Sequence, residues 1–416
     1  VANVTLTPTV EMFFDQSVTG TGDFLELDDP IKGILDGATY VLSGDIATDV
    51  TTYTTGFNIS RGRSRDLDEM RVGSASVSLT NFAGEFLPDT ISAASPFGGS
   101  NIRPGRRVRI TVDSAVIFDG NIDDWDYSFT VDQQSRASVT AVDALAPLGT
   151  KELTAHTASS QLPGARIGAV LDRPEINYVA DRAIDAGIST LQGDPVVAGD
   201  NCLTYCNLVA RSDLGRFFAS RQNTITFRDR HSLVGLTNLL TFSDNGANIN
   251  FHGLDVAFGS ELLANRVTAQ RVGGVAQTAN NTDSQTEYGA RDLSSSVTGL
   301  LLNSDPEVAL LAEFLAGLNG TPQVRVAGMT VAVHALAAVD RANVLALDLG
   351  DAITVVWSPP GSAETSNDYV IEGITHTGGV ASVHTTRFAL SPISQGAALV
   401  LDSAVLGIID TAILAY

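Results

Sequence analysis

The clearest periodic signal in the chain lies between positions 55 and 145. There GSASVSLTN (Gly73–Asn81), RRVRITV (Arg106–Val112), VIFDGNIDDW (Val116–Trp125) and RASVTAVDAL (Arg136–Leu145) alternate or run apolar over strand length, with Gly, Pro, Asp and Asn between them. This pattern predicts an antiparallel barrel or sandwich. From about 150 to 245 the period changes. PGARIGAVLDR predicts a short helix with Ile167, Val170 and Leu171 on one side. DNCLTYCNLVARSD predicts a second helix, with Asp200 near its N-cap and Cys202, Tyr205, Cys206 and Val209 facing inward. GRFFASRQNTITFRDR predicts a hairpin turning at Gln222 and Asn223. A third region, 246 to 395, returns to strands but holds one helix in NSDPEVALLAEFLAGLNG. Asp305 can cap it with Pro306 at the first position, or Ser304 and Glu307 can form a capping box. Val308, Leu311, Ala312 and Leu315 make its apolar stripe, Gly317 ends it, and it is expected on the strands that follow, QVRVAGMTVAV and DAITVVW.

The two strand-rich regions resemble each other. PGRRVRITV matches LGDAITVVW, FDGNI (Phe118–Ile122) matches IEGIT (Ile371–Thr375), and ASVTAVD matches TRFALSP, in the same order. Ordered matches of this kind predict an internal duplication. The ends of the chain also share a phrase: LELDDPIKGILDG from Leu25 and LVLDSAVLGIIDT from Leu399 both read L-D-x-x-x-x-G-I-[LI]-D. As a docking element, Gly33 and Gly407 would supply the bend, Asp28, Asp36, Asp402 and Asp410 would fix the turn through backbone hydrogen bonds, and the apolar residues would enter pockets. The competing reading is two hairpins of similar composition. The pattern divides the chain into an N-terminal extension (1–50), a first β unit (51–150), an α/β insertion (151–245), a second β unit with its helix (246–395) and a terminal tail (396–416).

With 416 residues, 44% of them hydrophobic and 17% charged, the chain can build real cores. No apolar run reaches the length of a bilayer span, and the opening stretch has neither the basic nor the apolar part of a secretory signal, so neither membrane insertion nor export by that route is expected. The net charge of −22 opposes binding nucleic acid by phosphate neutralisation but suits a surface that DNA slides past. Eight arginines fall between positions 61 and 109. SRGRSRDLDEMR interleaves Arg61, Arg63, Arg65 and Arg71 with Asp66, Asp68 and Glu69, a mixed strip expected at a protein interface.

Chemistry is sparse. Asp123 and Asp124 in DDWD alternate to opposite faces of a strand, which does not suit paired-carboxylate hydrolysis, and Trp125 reads as packing. The six histidines form no ligand pair of metal-binding spacing; His376 and His384 read as a polar cross-strand pair. Cys202 and Cys206 read as buried small hydrophobes. ANNTDSQTE, residues 279 to 287, lacks the pattern of a calcium loop and reads as an ordinary loop. No catalytic residue, metal or cofactor is expected.

The phrases DDPIKGILDG, FNISRGRSRDLDEMRVGSASVSLTN, SPFGGSNIRPGRRVRI, IFDGNIDDWDY and VTAVDALA resemble minor tail proteins of long-tailed bacteriophages of actinobacteria. LANRVTAQRVGGVAQTANNTDSQTEYGARDL, LGDAITVVWSPP and YVIEGITHTGG resemble the baseplate hub class within that group. The resemblance covers nearly the whole chain and lacks the appended peptidase or muramidase domain of tail lysins. It implies a mainly β fold with two tail-tube-like antiparallel β-barrels and a small α/β domain. It also implies a homotrimer at the virion tail tip, made in the host cytoplasm, that adapts a sixfold tube to threefold tip components and forms part of the DNA ejection channel. The partners implied are the distal tail, tail tube and tape measure proteins and other minor tail, tip or receptor-binding proteins. A carbohydrate-binding β module of the tail tip and a cell-wall hydrolase are the alternatives.

Overall fold

The computed structural model describes residues 6, 8–15, 45–66, 68–92, 95–130, 135–233, 237–293, 297–380 and 382–393. The repeated terminal phrase, with Asp28, Gly33, Asp36, Asp402, Gly407 and Asp410, lies outside the described residues.

The strands run in chain order as follows. The first β unit contributes β1 (Pro8–Asp15), β2 (Asp45–Asp49), β3 (Thr54–Gly62), β4 (Arg71–Thr80), β5 (Arg107–Val112), β6 (Ala115–Ser128) and β7 (Arg136–Val142). The insertion contributes β8 (His156–Ala158), β9 (Arg182–Ile184), β10 (Asp194–Val196), β11 (Arg216–Ala219) and β12 (Ile225–Arg228). Next come β13 (Leu240–Ser243), β14 (Ile249–Asn250), β15 (Gly253–Ala257), β16 (Arg266–Arg271), β17 (Gln277–Asn280) and β18 (Val297–Leu300). The last four are β19 (Arg325–Ala332), β20 (Ala352–Trp357), β21 (Thr365–Gly378) and β22 (Thr385–Pro392). Fourteen of them share one sheet. Its main path is β14-β13-β20-β21-β3-β4-β7-β6-β5-β1-β2, with β22, β19 and β15 branching in that order from β21.

Within that sheet two five-strand runs repeat. The orders β5-β6-β7-β4-β3 and β20-β21-β22-β19-β15 are antiparallel at every step. In each, the fourteen-residue strand carries a bulge against the next strand, between Ile122 and Asp124 in β6 and between Ile371 and Gly373 in β21. Arg107 opposite Asn121 corresponds to Ala352 opposite Val370. Two of the three phrase matches therefore fall on equivalent positions. The third does not: VIEGI corresponds to NIDDW, so Ile371 matches Ile122 and not Phe118. The glycines that suggested the other alignment make different contacts, a Cβ on Gly120 meeting the Val142 carbonyl and one on Gly373 the Arg63 carbonyl.

Among the described residues the sheet does not close into the two barrels expected. β3, the edge of the first run, pairs with β21 of the second, so the repeats form one continuous surface. The core beneath it gathers both repeats, including Ile59, Val77, Phe118, Phe242, Ile371 and Phe388. The face turned from that core carries a cross-strand row of Thr377, Asn58, Ser76 and Thr140, with Asn58 Nδ2 donating to Thr377 Oγ1 at 2.9 Å.

The insertion has its own core, in which Ile167, Val170, Leu171, Cys202, Cys206 and Val209 are all buried. Its second helix, Cys202–Ser212, is capped by Asn201 and not by Asp200; the Asn201 side chain accepts from the Thr204 amide, while the Asp200 carboxylate accepts from the Val197 amide. The hairpin of β11 and β12 turns with Asn223 at φ 64°. The helix Asp305–Leu318 has the Ser304/Glu307 capping box, with Pro306 in its first turn. It packs on β16 and β17, not on the following strands, because Val308, Leu311 and Leu315 share a third, separate core with Val267, Ala269 and Val297. Residues 282 to 288, overlapping the segment 279 to 287 read as loop, form a helix that Asn281 caps through the Ser284 amide. A further helix, Ala338–Ala346, has no counterpart in the sequence reading.

Candidate functional site

The best-built polar site lies where β3 meets β21. Alternation along β3 points Phe57, Ile59 and Arg61 inward, and Arg63 follows in the same phase just past its end. Two arginines at core positions need buried partners, since an isolated buried charge is prohibitive. Both have them. Arg63 Nε donates to Glu372 Oε2 at 2.6 Å, its Nη2 to Asp66 Oδ1 at 2.7 Å, and its Nη1 to the Asp68 carbonyl at 2.8 Å. Arg216, at the start of β11, donates to the other Glu372 oxygen at 3.0 Å. Glu372 sits at the β21 bulge and is wholly buried. Burial alone would raise its pKa; Arg216 and Arg63 outweigh that and hold it at about 2.

A second node lies alongside. Arg61 Nη1 donates to Asp348 Oδ1 at 2.8 Å, and the Arg221 backbone amide donates to Asp348 Oδ2 at 2.8 Å. Each node thus takes one residue from the first repeat, one from the second and one from the α/β insertion. Asp143 is buried nearby, accepting from the Gly73 and Leu145 amides, and burial lifts its pKa to about 7. Two glycines allow the strands to come this close. Gly62 has φ +88°, and a Cβ there would lie 2.2 Å from the Glu372 carbonyl; one on Gly373 would lie 2.5 Å from the Arg63 carbonyl.

Over the junction opens a cleft of about 770 Å³, lined in part by Ser60, Arg65, Arg71, Glu261, Arg325 and Arg387. Glu261 bridges Arg65 and Arg325, each at 2.7 Å. Arg71 is exposed on the cleft wall. Of the predicted strip, then, Arg61 and Arg63 are spent inside this chain, whereas Arg65 and Arg71 reach solvent. Arg216, Glu372, Asp348 and Glu261 were not foreseen; the only local signal was the phrase IEGIT, whose glutamate falls in an apolar strand.

The other candidates do not assemble into chemistry. Asp123, Asp124 and Asp126 are exposed on β6, while Trp125 is buried and stacks on Phe86 at 6.0 Å. His376 and His384 are both buried, with Nδ1 of the former and Nε2 of the latter 3.3 Å apart. Burial, with His334 nearby, lowers the pKa of His384 to about 4. Among the described residues no three His, Cys, Asp or Glu side chains converge on a metal-binding geometry. No described helix is long and apolar enough to cross a membrane.

No protein-family profile and no curated protein matches the chain. Solved structures do. The 43 kDa tail protein of prophage MuSo2 from Shewanella oneidensis is similar over 84% of this chain and 97% of its own, with TM-score 0.55 and 11% identity. A tail protein from Neisseria meningitidis MC58 is similar over 93% of this chain and 96% of its own, with TM-score 0.56 and 11% identity. Prophage tail protein gp18 from Listeria monocytogenes EGD-e is similar over 83% and 91%, with TM-score 0.50 and 11% identity. At such identity the likeness is one of fold, and it spans nearly the full length of those tail proteins.

Proposed function

We propose that the chain is a non-catalytic structural protein of a phage-type tail, a hub at the tail tip that assembles as a homotrimer. The carrying observation is the duplicated five-strand run, joined through β3 and β21 into one sheet. A chain with two like units presents six in three copies, which lets a threefold object seat on a sixfold tube. The fold likeness to phage tail proteins supports the setting. The long-tailed, actinobacterial class, and the partners named for it, rest on the phrase resemblance.

In this reading the sheet face turned from the core lines the passage for DNA. That face carries the row Thr377, Asn58, Ser76 and Thr140, which continues to Asp124, with Asp126 beside Ser138 and Arg387 opposite Thr375. The exposed carboxylates of Asp124 and Asp126 on that face repel DNA phosphates. The carbohydrate-binding alternative is not favoured by Trp125, which is buried. Negative-stain averaging of the purified full chain tests the reading: a ring with six similar lobes and a mass of three copies is expected, and a monomer or a six-copy ring contradicts it. Release of soluble fragments from peptidoglycan by the purified protein would contradict its non-catalytic part.

A further inference from the structure

The pairing of β3 with β21 exposes an asymmetry between the repeats. In the second repeat, β21 carries β22 on one edge. Its other edge holds β20 along residues 365 to 370 and β3 along 373 to 378. In the first repeat, β6 carries β7 on one edge and β5 along residues 115 to 121 of the other. The remainder of that edge, Asp124 to Ser128, has no strand partner among the described residues. The second repeat's counterpart of β3 is β15, which pairs with β19 alone among the described residues. Among the described residues one chain therefore has one edge open to a strand and one strand without a second partner, and they belong to the two positions that β21 and β3 fill within the chain.

We propose that β15 of one copy adds antiparallel to the open edge of β6 in the next copy, repeating between chains the join that β3 and β21 make within one. The register follows from the two equivalences. Asn58 matches Asp255, because their partners Ser76 and Gly328 stand opposite Thr140 and Ala389, the equivalent residues of β7 and β22. Thr377 matches Ser128, because Thr385 and Arg136 oppose them in the equivalent hairpins. Asn58 opposite Thr377 thus becomes Asp255 opposite Ser128, where a serine hydroxyl donates to the carboxylate that Arg387 already holds at 2.6 Å. Leu254 comes opposite Phe129 and Val256 opposite Tyr127.

The surfaces fit a second copy better than solvent. Val256 is 41% exposed and Phe258 70% exposed at one edge, and Phe129 is 62% exposed at the other. Open strand edges bearing apolar side chains invite pairing and are normally covered. The contact is heterologous, so copies add head to tail instead of pairing off, and the threefold ring of the proposed function requires that their rotation close. The inference deepens the hub reading and rests on it only for the number of copies in the ring.

A cysteine cross-link tests it in the full chain. The double variant Ser128→Cys/Asp255→Cys places two thiols at opposed strand positions, within disulfide reach; the native Cys202 and Cys206 are buried. Under mild oxidation it should give a ladder of covalent multimers on non-reducing gels, at least tenfold more than the out-of-register control Asp126→Cys/Asp255→Cys. Val256→Lys, at an exposed site, should convert the assembly to monomers with an unchanged circular dichroism spectrum and melting curve. A monomeric wild-type protein at micromolar concentration, equal cross-linking in both registers, or an intact ring in Val256→Lys overturns the proposal. A ring of other than three copies that still cross-links in register leaves these edges standing and removes the threefold count alone.

Discussion

Glu372 is a wholly buried carboxylate on which two arginines from two other parts of the chain end. Replacing it with glutamine leaves Arg216 buried without its counter-charge and Arg63 with Asp66 alone, which costs on the order of 3–5 kcal/mol. Thermal and denaturant unfolding of Glu372→Gln should show that loss, whereas Arg266→Ala, which breaks the exposed pair with Asp292, should leave the unfolding curve unchanged. Arg63→Glu is expected to misfold rather than yield a soluble subunit that merely fails to assemble, since it sets a second carboxylate against Glu372; Arg65→Glu, on the cleft rim, should stay folded. The pH dependence follows from the same burial. His376 and His384 have folded pKa values below the unfolded value of about 6.5, burial being the main cause. The unfolded chain therefore binds protons first, and stability falls as pH drops from about 6.5 toward 4, by up to about 1.4 kcal/mol per pH unit for each proton. Asp143 acts oppositely: its pKa near 7 means that its contribution is full below the unfolded value of about 3.9 and is lost as pH rises through 7. Unfolding measured between pH 4 and 8 should show a shallower acid limb in His384→Asn and a steeper one in Asp143→Asn.

At the scale of elements, the closest backbone approach sets the tightest constraint. A methyl group on Gly62 would press on the Glu372 carbonyl in a left-handed conformation, so Gly62→Ala should destabilise by more than the roughly 1 kcal/mol of a simple backbone effect and loosen β3 from β21. Hydrogen exchange at residues 57 to 62 would register it as lost protection. Ser304→Ala, which removes one half of a capping box, should cost only about 1 kcal/mol and act locally on the helix Asp305–Leu318. Most of the elements were legible in the sequence. Alternation found β4 to β7, and the capping phrase found the long helix. What local pattern could not show is pairing at a distance: Arg63 and Glu372 are 309 positions apart, and nothing near either residue names the other. For the same reason the arginine strip read as an outward interface. Its interleaved acids were visible, but inward alternation of Arg61 and Arg63 makes sense only once the buried acids of β21 and its neighbours are in place. The helix Asp305–Leu318 was found but assigned to the wrong neighbours, since an apolar stripe shows that a face is buried without showing against what. The FDGNI/IEGIT match misled by resting on glycines that serve different contacts.

Taken whole, the chain holds two like sheet runs in one surface and ties them to an insertion through two arginine–carboxylate nodes. The duplication is carried by strand order, bulge position and register, and the fold is that of phage tail proteins. On the proposed function, three copies form a ring in which six similar units surround the passage. The most direct test is the mass and rotational symmetry of the purified full-length protein, read together by mass photometry and negative-stain averaging. Three copies of the 43.6 kDa chain in a ring with six similar lobes is the predicted result; a monomer at all concentrations, or a ring whose copy number is not three, would contradict it.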